Sequence, residues 1–174
     1  MFSSLKTRFF LATIVGLTLF LPLPSLAAEK AAEKENPVFG DWTFICEKDK
    51  EGKKQCEIAQ TQMMKDKKGE TKGRLLRLAF ARRPDGKNII HALLPLGLAI
   101  PAGVGIVIDE GEQLNMILQR CTGMGCEAVA LVDDSYLEKM KKGNIAKVGF
   151  KAGEKTMVIQ SSLKGFGRAL QELK

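Results

Sequence analysis

The four cysteines, Cys46, Cys56, Cys121 and Cys126, constrain this chain more than any other feature, because each successive pair encloses one candidate β-turn. "WTFICEKDKEGKKQCEIAQTQ" reads as a strand, a charged loop containing glycine, and a second strand. "QLNMILQRCTGMGCEAVALV" repeats that layout with a tighter, glycine-rich turn. In an oxidising compartment an even set of cysteines forms structural disulfides. Three connectivities are open, and sequence alone selects none of them. Geometry favours local pairing, since opposed residues on antiparallel strands have Cα atoms about 4.5–5.5 Å apart, within the span of a disulfide. Two other uses of the thiols fit less well. Thioredoxin-like redox chemistry places two residues between its cysteines, whereas these pairs enclose four and nine. Structural zinc knuckles enclose two to four, which admits only the second pair.

The N-terminus indicates the compartment. Lys6 and Arg8 precede an apolar run from Phe9 to Leu21, Pro22 and Pro24 follow, and Ser25, Leu26 and Ala27 complete a small-residue cleavage site. This is the three-part pattern of a secretory signal peptide over residues 1–27. The apolar run falls short of the roughly 20 residues a membrane span needs, and no later stretch approaches that length. No cysteine stands at the cleavage site to carry a lipid. The mature chain is therefore expected to be exported, periplasmic or secreted to the cell surface, without a transmembrane segment. Cleavage leaves about 147 residues, enough for one domain with a real core. Residues 28–37, ending "EKENP", are charged and lack bulky apolar side chains, so they read as a flexible linker. The folded domain is placed at 38–174.

Within it, two-residue alternation dominates. Trp42, Phe44 and Cys46 share one face of a first strand, and Leu76, Leu78 and Phe80 alternate with Leu75, Arg77 and Ala79 in "RLLRLAFARR". "NIIHALLP", "GVGIVIDE", "QLNMILQRC", "EAVALV", "AKVGF" and "TMVIQSS" add short apolar runs bounded by turn residues. The total of eight or nine strands has the spacing of a sandwich or barrel. "KDKKGETKG" and "RRPDGKN" mark hairpin loops. Two segments read as helical. "DDSYLEKMKKGN" offers Asp134 or Ser135 as a cap, Glu138 in the first turn, an apolar face of Leu137 and Met140, and Gly143 as a stop. "SSLKGFGRALQELK" spaces Phe166, Leu170 and Leu173 so that a short helix could lie against the sandwich or cover a sheet edge.

"FGDWTFICE", "LPLGLAIPAGVGIVIDEG", "CTGMGCEA" and "SSLKGFGRAL", in that order and across nearly all of the mature chain, resemble the invasion-associated locus B family of Gram-negative bacteria. The resemblance implies an all-β, immunoglobulin-like β-sandwich exported to the periplasm or cell surface. It also implies a connection with host-cell invasion, from which the family takes its name, and it carries no catalytic motif. The antibody-type intersheet disulfide is not expected, because Trp42 precedes every cysteine instead of lying between two of them.

Chemistry is sparse. His91 is the only histidine and sits inside an apolar strand, where a histidine is more often a packed, hydrogen-bonded residue than a base. Asp109, Glu110 and Glu112, and Asp133 with Asp134, cluster at turns, where carboxylates commonly cap and solubilise. Neither "GMG" nor "GFG" has the spacing of a phosphate loop. No catalytic residue, metal site or cofactor is assigned.

Charge is the stronger signal. The chain carries +7, or +5 once Lys6 and Arg8 are removed. Its cations bunch in predicted loops, at Lys53 and Lys54, Lys67 and Lys68, and Arg82 and Arg83. If these loops met at one end of a sandwich, they would form a surface for an anionic lipid, glycan or acidic protein. Interspersed carboxylates support the plainer reading, in which lysines keep hairpins soluble and guard sheet edges. Scarce aromatics and export argue against nucleic acid. The stretch "LLPLGLAIPAGVGIVI" is unusually apolar for a connection; we expect Leu93, Leu96, Leu98 and Ile100 in the core, the alternative being an exposed docking loop. The function expected is non-enzymatic binding of an envelope or host-surface partner, the alternative a structural or chaperone-like role in the envelope.

Overall fold

The computed structural model describes residues 35–173, so the expected signal peptide and most of the expected linker lie outside the described residues. The fold is the expected all-β sandwich with two short helices. Its strands are β1 (Val38–Phe39), β2 (Trp42–Lys48), β3 (Lys54–Lys65), β4 (Thr71–Arg82), β5 (Asn88–Leu94), β6 (Val104–Ile108), β7 (Gln113–Thr122), β8 (Gly125–Val132), β9 (Ile145–Ala152) and β10 (Lys155–Ser162). Helix α1 (Asp134–Lys142) links β8 to β9, and α2 (Phe166–Leu170) follows β10.

All pairings are antiparallel, in the order β1-β2-β3-β4-β5-β8-β7-β6-β9-β10. Strand β7 is the corner: Gln113–Met116 pair with β6, whereas Ile117–Thr122 pair with β8, with a shift in register between Leu118 and Arg120. A strand shared in this way lets one sheet fold over and face itself. The predicted alternation sets what lies between the layers. Leu76, Leu78 and Phe80 from β4, Ile90 from β5, and Ile106 and Val148 from the second sheet are fully buried. Each such side chain contributes about 1.5–3 kcal/mol on leaving water.

Both local disulfides form, Cys46–Cys56 between β2 and β3 and Cys121–Cys126 between β7 and β8. In each case the partners are directly opposed in the register, with Cα atoms 4.1 and 4.0 Å apart. Three hairpin loops share one design. In Asp49–Lys53, Asp66–Glu70 and Arg83–Lys87 the first residue's N–H donates to the fifth residue's carbonyl, and the fourth residue, a glycine, donates to the first. That is a type I turn closed by a glycine bulge. Asp49 and Asp66 add side-chain bonds from their own loop N–H groups.

Helix α1 corrects the expected cap by one residue. Asp133 is the N-cap, accepting from the Tyr136 N–H at 2.7 Å and the Ser135 hydroxyl at 2.8 Å. The donation from Tyr136 and then that from Ser135 hold the Asp133 carboxyl below its ordinary pKa. Asp134, not Glu138, is the first-turn acid, and Gly143 ends the helix as expected. Leu137 and Met140 are buried together with Tyr136, whose hydroxyl donates to the Ile106 carbonyl at 2.8 Å. Burial pushes the Tyr136 phenol up to about 12.

The first and last segments of the described domain meet. Gly40, at φ +62°, and Gly165, at φ +89°, approach so closely that a Cβ on Gly165 would lie 2.0 Å from the Phe39 carbonyl oxygen. The Asp41 N–H donates to the Lys164 carbonyl across this contact. It seats Phe166 between Trp42 and Phe80, edge to face at 5.0 and 5.4 Å, and the Trp42 indole N–H donates to the Ser162 carbonyl. Gln60 and Gln62 of β3 likewise donate to the carbonyls of Ser162 and Gln160, so side chains partner part of the free edge of β10.

Two outcomes follow for stability. Cys46→Ala/Cys56→Ala should lose about 3 kcal/mol and Cys121→Ala/Cys126→Ala about 2, since the first bridge closes the longer loop; urea denaturation reads both. Gly165→Ala should cost about 3 kcal/mol or more, because it meets both a forbidden φ and a backbone oxygen, whereas Gly69→Ala in an open hairpin should cost less.

Candidate functional site

Among the described residues, a trough of about 640 Å³ lies on the outside of the second sheet, not between the layers. Its floor follows from register. Asn115 of β7, Gly105 of β6, Gly149 of β9 and Val158 of β10 stand side by side in one outward-facing row. Gly105 and Gly149 are directly paired and contribute no side chains of their own. The Gln113 side chain lies over Gly105, its Cδ 2.5 Å from where a Cβ would stand, so the open part of the floor is at Gly149. With strands about 4.8 Å apart, the row spans about 14 Å. Along β9 the trough is flanked by Lys147 on one side of Gly149 and Lys151 on the other, roughly 13 Å apart along an extended strand. Pro101 and Ala102, from a single 3-10 turn, and Thr156 of β10 add to its rim. Gln113 donates to Asn115 at 2.7 Å along the β7 side.

Lys147 pairs with Glu110, whereas Lys151 makes no ion pair among the described residues. Asp109, also at the rim, is occupied structurally. It holds a positive φ of 50° and accepts from the backbone N–H groups of Asn144 and Ile145 at 3.2 and 2.9 Å. What remains is a shallow, flat-floored surface with amide, hydroxyl and ammonium groups around it. Such a surface suits a polar ligand laid across the strands more than bond-making chemistry.

The residues singled out from sequence scatter. His91 lies on the outer face of the first sheet, opposite Ala79 on β4 and Val129 on β8, half-buried and far along the strand order from the trough. Burial lowers its pKa against the opposing pull of the Glu57 and Glu127 carboxylates. Asp133 caps α1, and Glu112 reaches Lys139. The six cations fall into two groups. Lys53 and Lys54, in the β2–β3 hairpin, share one end of the first sheet with Arg82 and Arg83, in the β4–β5 hairpin. Lys67 and Lys68 lie in the β3–β4 hairpin, at the opposite end. With twelve residues in β3, the ends are separated by roughly 40 Å, so the structure does not bring the three loops together.

The central apolar stretch also departs from expectation. Leu93 and Leu98 are half-buried, but Leu96 and Ile100 are exposed, because β5 ends at Leu94 and the chain must cross from one sheet to the other before β6. The glycine floor was missed in the sequence. Its signal was present: a lone glycine inside each of the strands "VGIVI" and "IAKVGFKA", a position that often marks close approach by a ligand or another backbone.

The family model for the invasion associated locus B (IalB) protein matches residues 42–174, the whole sandwich from Trp42 onward. The chain belongs to the invasion associated locus B family. Two invasion protein B homologues, from Brucella abortus strain 2308 and from B. abortus biovar 1 strain 9-941, are each 28% identical over 167 residues, covering 91% of this chain and 94% of the relative. The crystal structure of invasion associated protein B from Bartonella henselae is similar in fold, with a TM-score of 0.66 at 22% identity, covering 79% of this chain and 93% of that one. Among the described residues, no helix is long and apolar enough to cross a membrane. The two disulfides and the family together suggest an exported protein.

His91 generates a pH dependence. Its folded pKa lies below the unfolded value of about 6.5, so the unfolded chain binds the extra proton and native stability falls as pH drops through that range. Melting temperature should decline from pH 7 to 5 in the native protein, and His91→Phe should flatten that decline.

Proposed function

We propose that this invasion associated locus B family protein is an exported, non-enzymatic binding protein that engages an envelope component or a host-cell surface through the trough over Gly105 and Gly149. The observation that carries this reading is the paired glycine floor. Two residues without side chains, directly opposed in mid-sheet, weaken packing of the strand pair, yet they leave room for the Gln113 side chain over Gly105 and for a concavity of about 640 Å³ that reaches Gly149. Polar and cationic groups ring that floor, and Lys151 supplies a positive charge for an anionic group on the ligand. The names of the similar proteins connect this family with invasion.

Gly149→Val is the decisive variant. A Cβ at Gly149 meets nothing nearer than 4.0 Å, and its φ lies outside the left-handed region. Valine also suits a strand. The variant should therefore fold with unchanged or higher melting temperature while filling the trough. In a deletion strain complemented at equal exported abundance, it should reduce host-cell attachment or entry at least tenfold relative to wild type. Wild-type attachment and entry by the Gly149→Val strain would refute the trough as the binding site.

A further inference from the structure

We propose that the end of the sandwich carrying the β3–β4 hairpin docks on an anionic lipid bilayer, with exposed apolar loop tips entering the interface and unpaired lysines meeting the headgroups. Antiparallel connections alternate between the two ends of a sheet. The β3–β4, β5–β6, β7–β8 and β9–β10 connections therefore share one end. Contacts confirm the grouping. Arg74 Nη2, at the hairpin's base, donates to the Met124 carbonyl in the β7–β8 turn at 2.7 Å. The Ala99 N–H, in the β5–β6 connection, donates to the Lys151 carbonyl beside the β9–β10 turn at 2.8 Å.

This end gathers side chains that a solvated loop does not need. Met63 and Met64 are 45% and 49% exposed, Leu96 57%, Ile100 61% and Met124 73%, so three of the four connections carry a bare apolar residue at or beside them. The same end is basic. Lys72 bridges both Asp66 and Glu70, at 3.1 and 2.7 Å, which consumes the hairpin's two carboxylates. Lys65, Lys67 and Lys68 make no ion pair among the described residues and stand on a ribbon that runs past the last β4–β5 pair at Arg77. At the opposite end the balance differs: Asp109, Glu110, Glu112, Asp133 and Asp134 offset the cations, and among the described residues Leu131 of β8, 55% exposed, is the one exposed large apolar residue there.

Positive charge together with scattered, flexible aliphatic and thioether side chains on separate loop tips complements an anionic bilayer, which attracts lysines and accepts apolar groups at any lateral position. A protein hot spot would instead gather Trp, Tyr or Arg into one packed pocket, and the exposed apolar residues here include no aromatic. The inference goes beyond the trough reading and fails independently of it.

Flotation of the full exported chain with vesicles tests it. One set is equimolar phosphatidylglycerol and phosphatidylcholine, the other phosphatidylcholine alone. The wild type should partition at least tenfold more strongly to the anionic set and weaken as salt rises. Lys67→Glu/Lys68→Glu should lose about tenfold or more. Leu96→Asn/Ile100→Asn should lose several-fold, with the deficit persisting at high salt. Lys53→Glu/Lys54→Glu, at the other end, and Gly149→Val should each bind as wild type, and free glycerol phosphate should not compete. Equal binding to both vesicle sets, no binding by folded wild type, an equal loss in the Lys53/Lys54 variant, or competition by glycerol phosphate would each overturn the proposal.

Discussion

Gly40 and Gly165 pack backbone against backbone, and the rest of the sandwich is arranged around that contact. A Cβ on Gly40 would fall 2.4 Å from the Lys164 carbonyl oxygen, so the close approach is open only to glycine on either side. Its consequence is positional. It brings the start of the domain to its end, places Phe166 between Trp42 and Phe80, and aligns the β10 carbonyls with the indole and amide donors of Trp42, Gln60 and Gln62. A two-layer sandwich joined at one corner by β7 would otherwise be free to splay along its far side. Here that side is held by aromatic packing and four side-chain hydrogen bonds, three to β10 carbonyls and one from Gln62 to the Ser161 hydroxyl, and each of those bonds is worth on the order of 1 kcal/mol.

The disulfides serve a different purpose. Both lie between neighbouring strands of one sheet, so neither ties the layers together. They fix two hairpins locally, one near each end of the first sheet, and remove loop entropy from the unfolded chain. Cohesion between layers rests on apolar burial and on the clasp. This division explains how the chain combines a rigid core with loop tips that expose methionine, leucine and isoleucine: Met124 sits in the turn that Cys121–Cys126 closes, held in place by covalent geometry without being packed inside.

Much of this was legible in the sequence because it depends on short-range chemistry. Strands show as two-residue alternation, the D-K-x-G-x loops as turns, and the cysteines as partners across them, since each signal is contained within about a dozen residues. Two of the motifs that carry the family resemblance, "FGDW" and "LKGFG", turn out to be the two halves of the clasp, yet nothing local to either says that they meet. Long-range placement is also what misled. Leu96 and Ile100 have the composition of core residues, but the crossing between sheets leaves them outside. Likewise the basic loops are alike in sequence, and only strand direction separates Lys67 and Lys68 from the other four cations.

Strand direction also gives charge its meaning in this molecule. The β2–β3 and β3–β4 hairpins carry nearly the same loop, Asp49-Lys-Glu-Gly-Lys53 and Asp66-Lys-Lys-Gly-Glu70, folded by the same hydrogen bonds. They differ in their surroundings. The first lies beside the β4–β5 hairpin, where Arg83 is paired to Asp85; neither loop carries an exposed large apolar residue, and Leu131 of β8 is the single one bordering them. The second stands on a projecting ribbon with exposed Met63 and Met64 at its base and exposed Met124 close by. A lysine on a solvated hairpin keeps a protein soluble and guards an edge, whereas a lysine beside bare apolar side chains adds long-range attraction to a short-range driving force. The same loop sequence can thus be inert at one end of a sandwich and adhesive at the other, depending on which neighbours the fold brings to it.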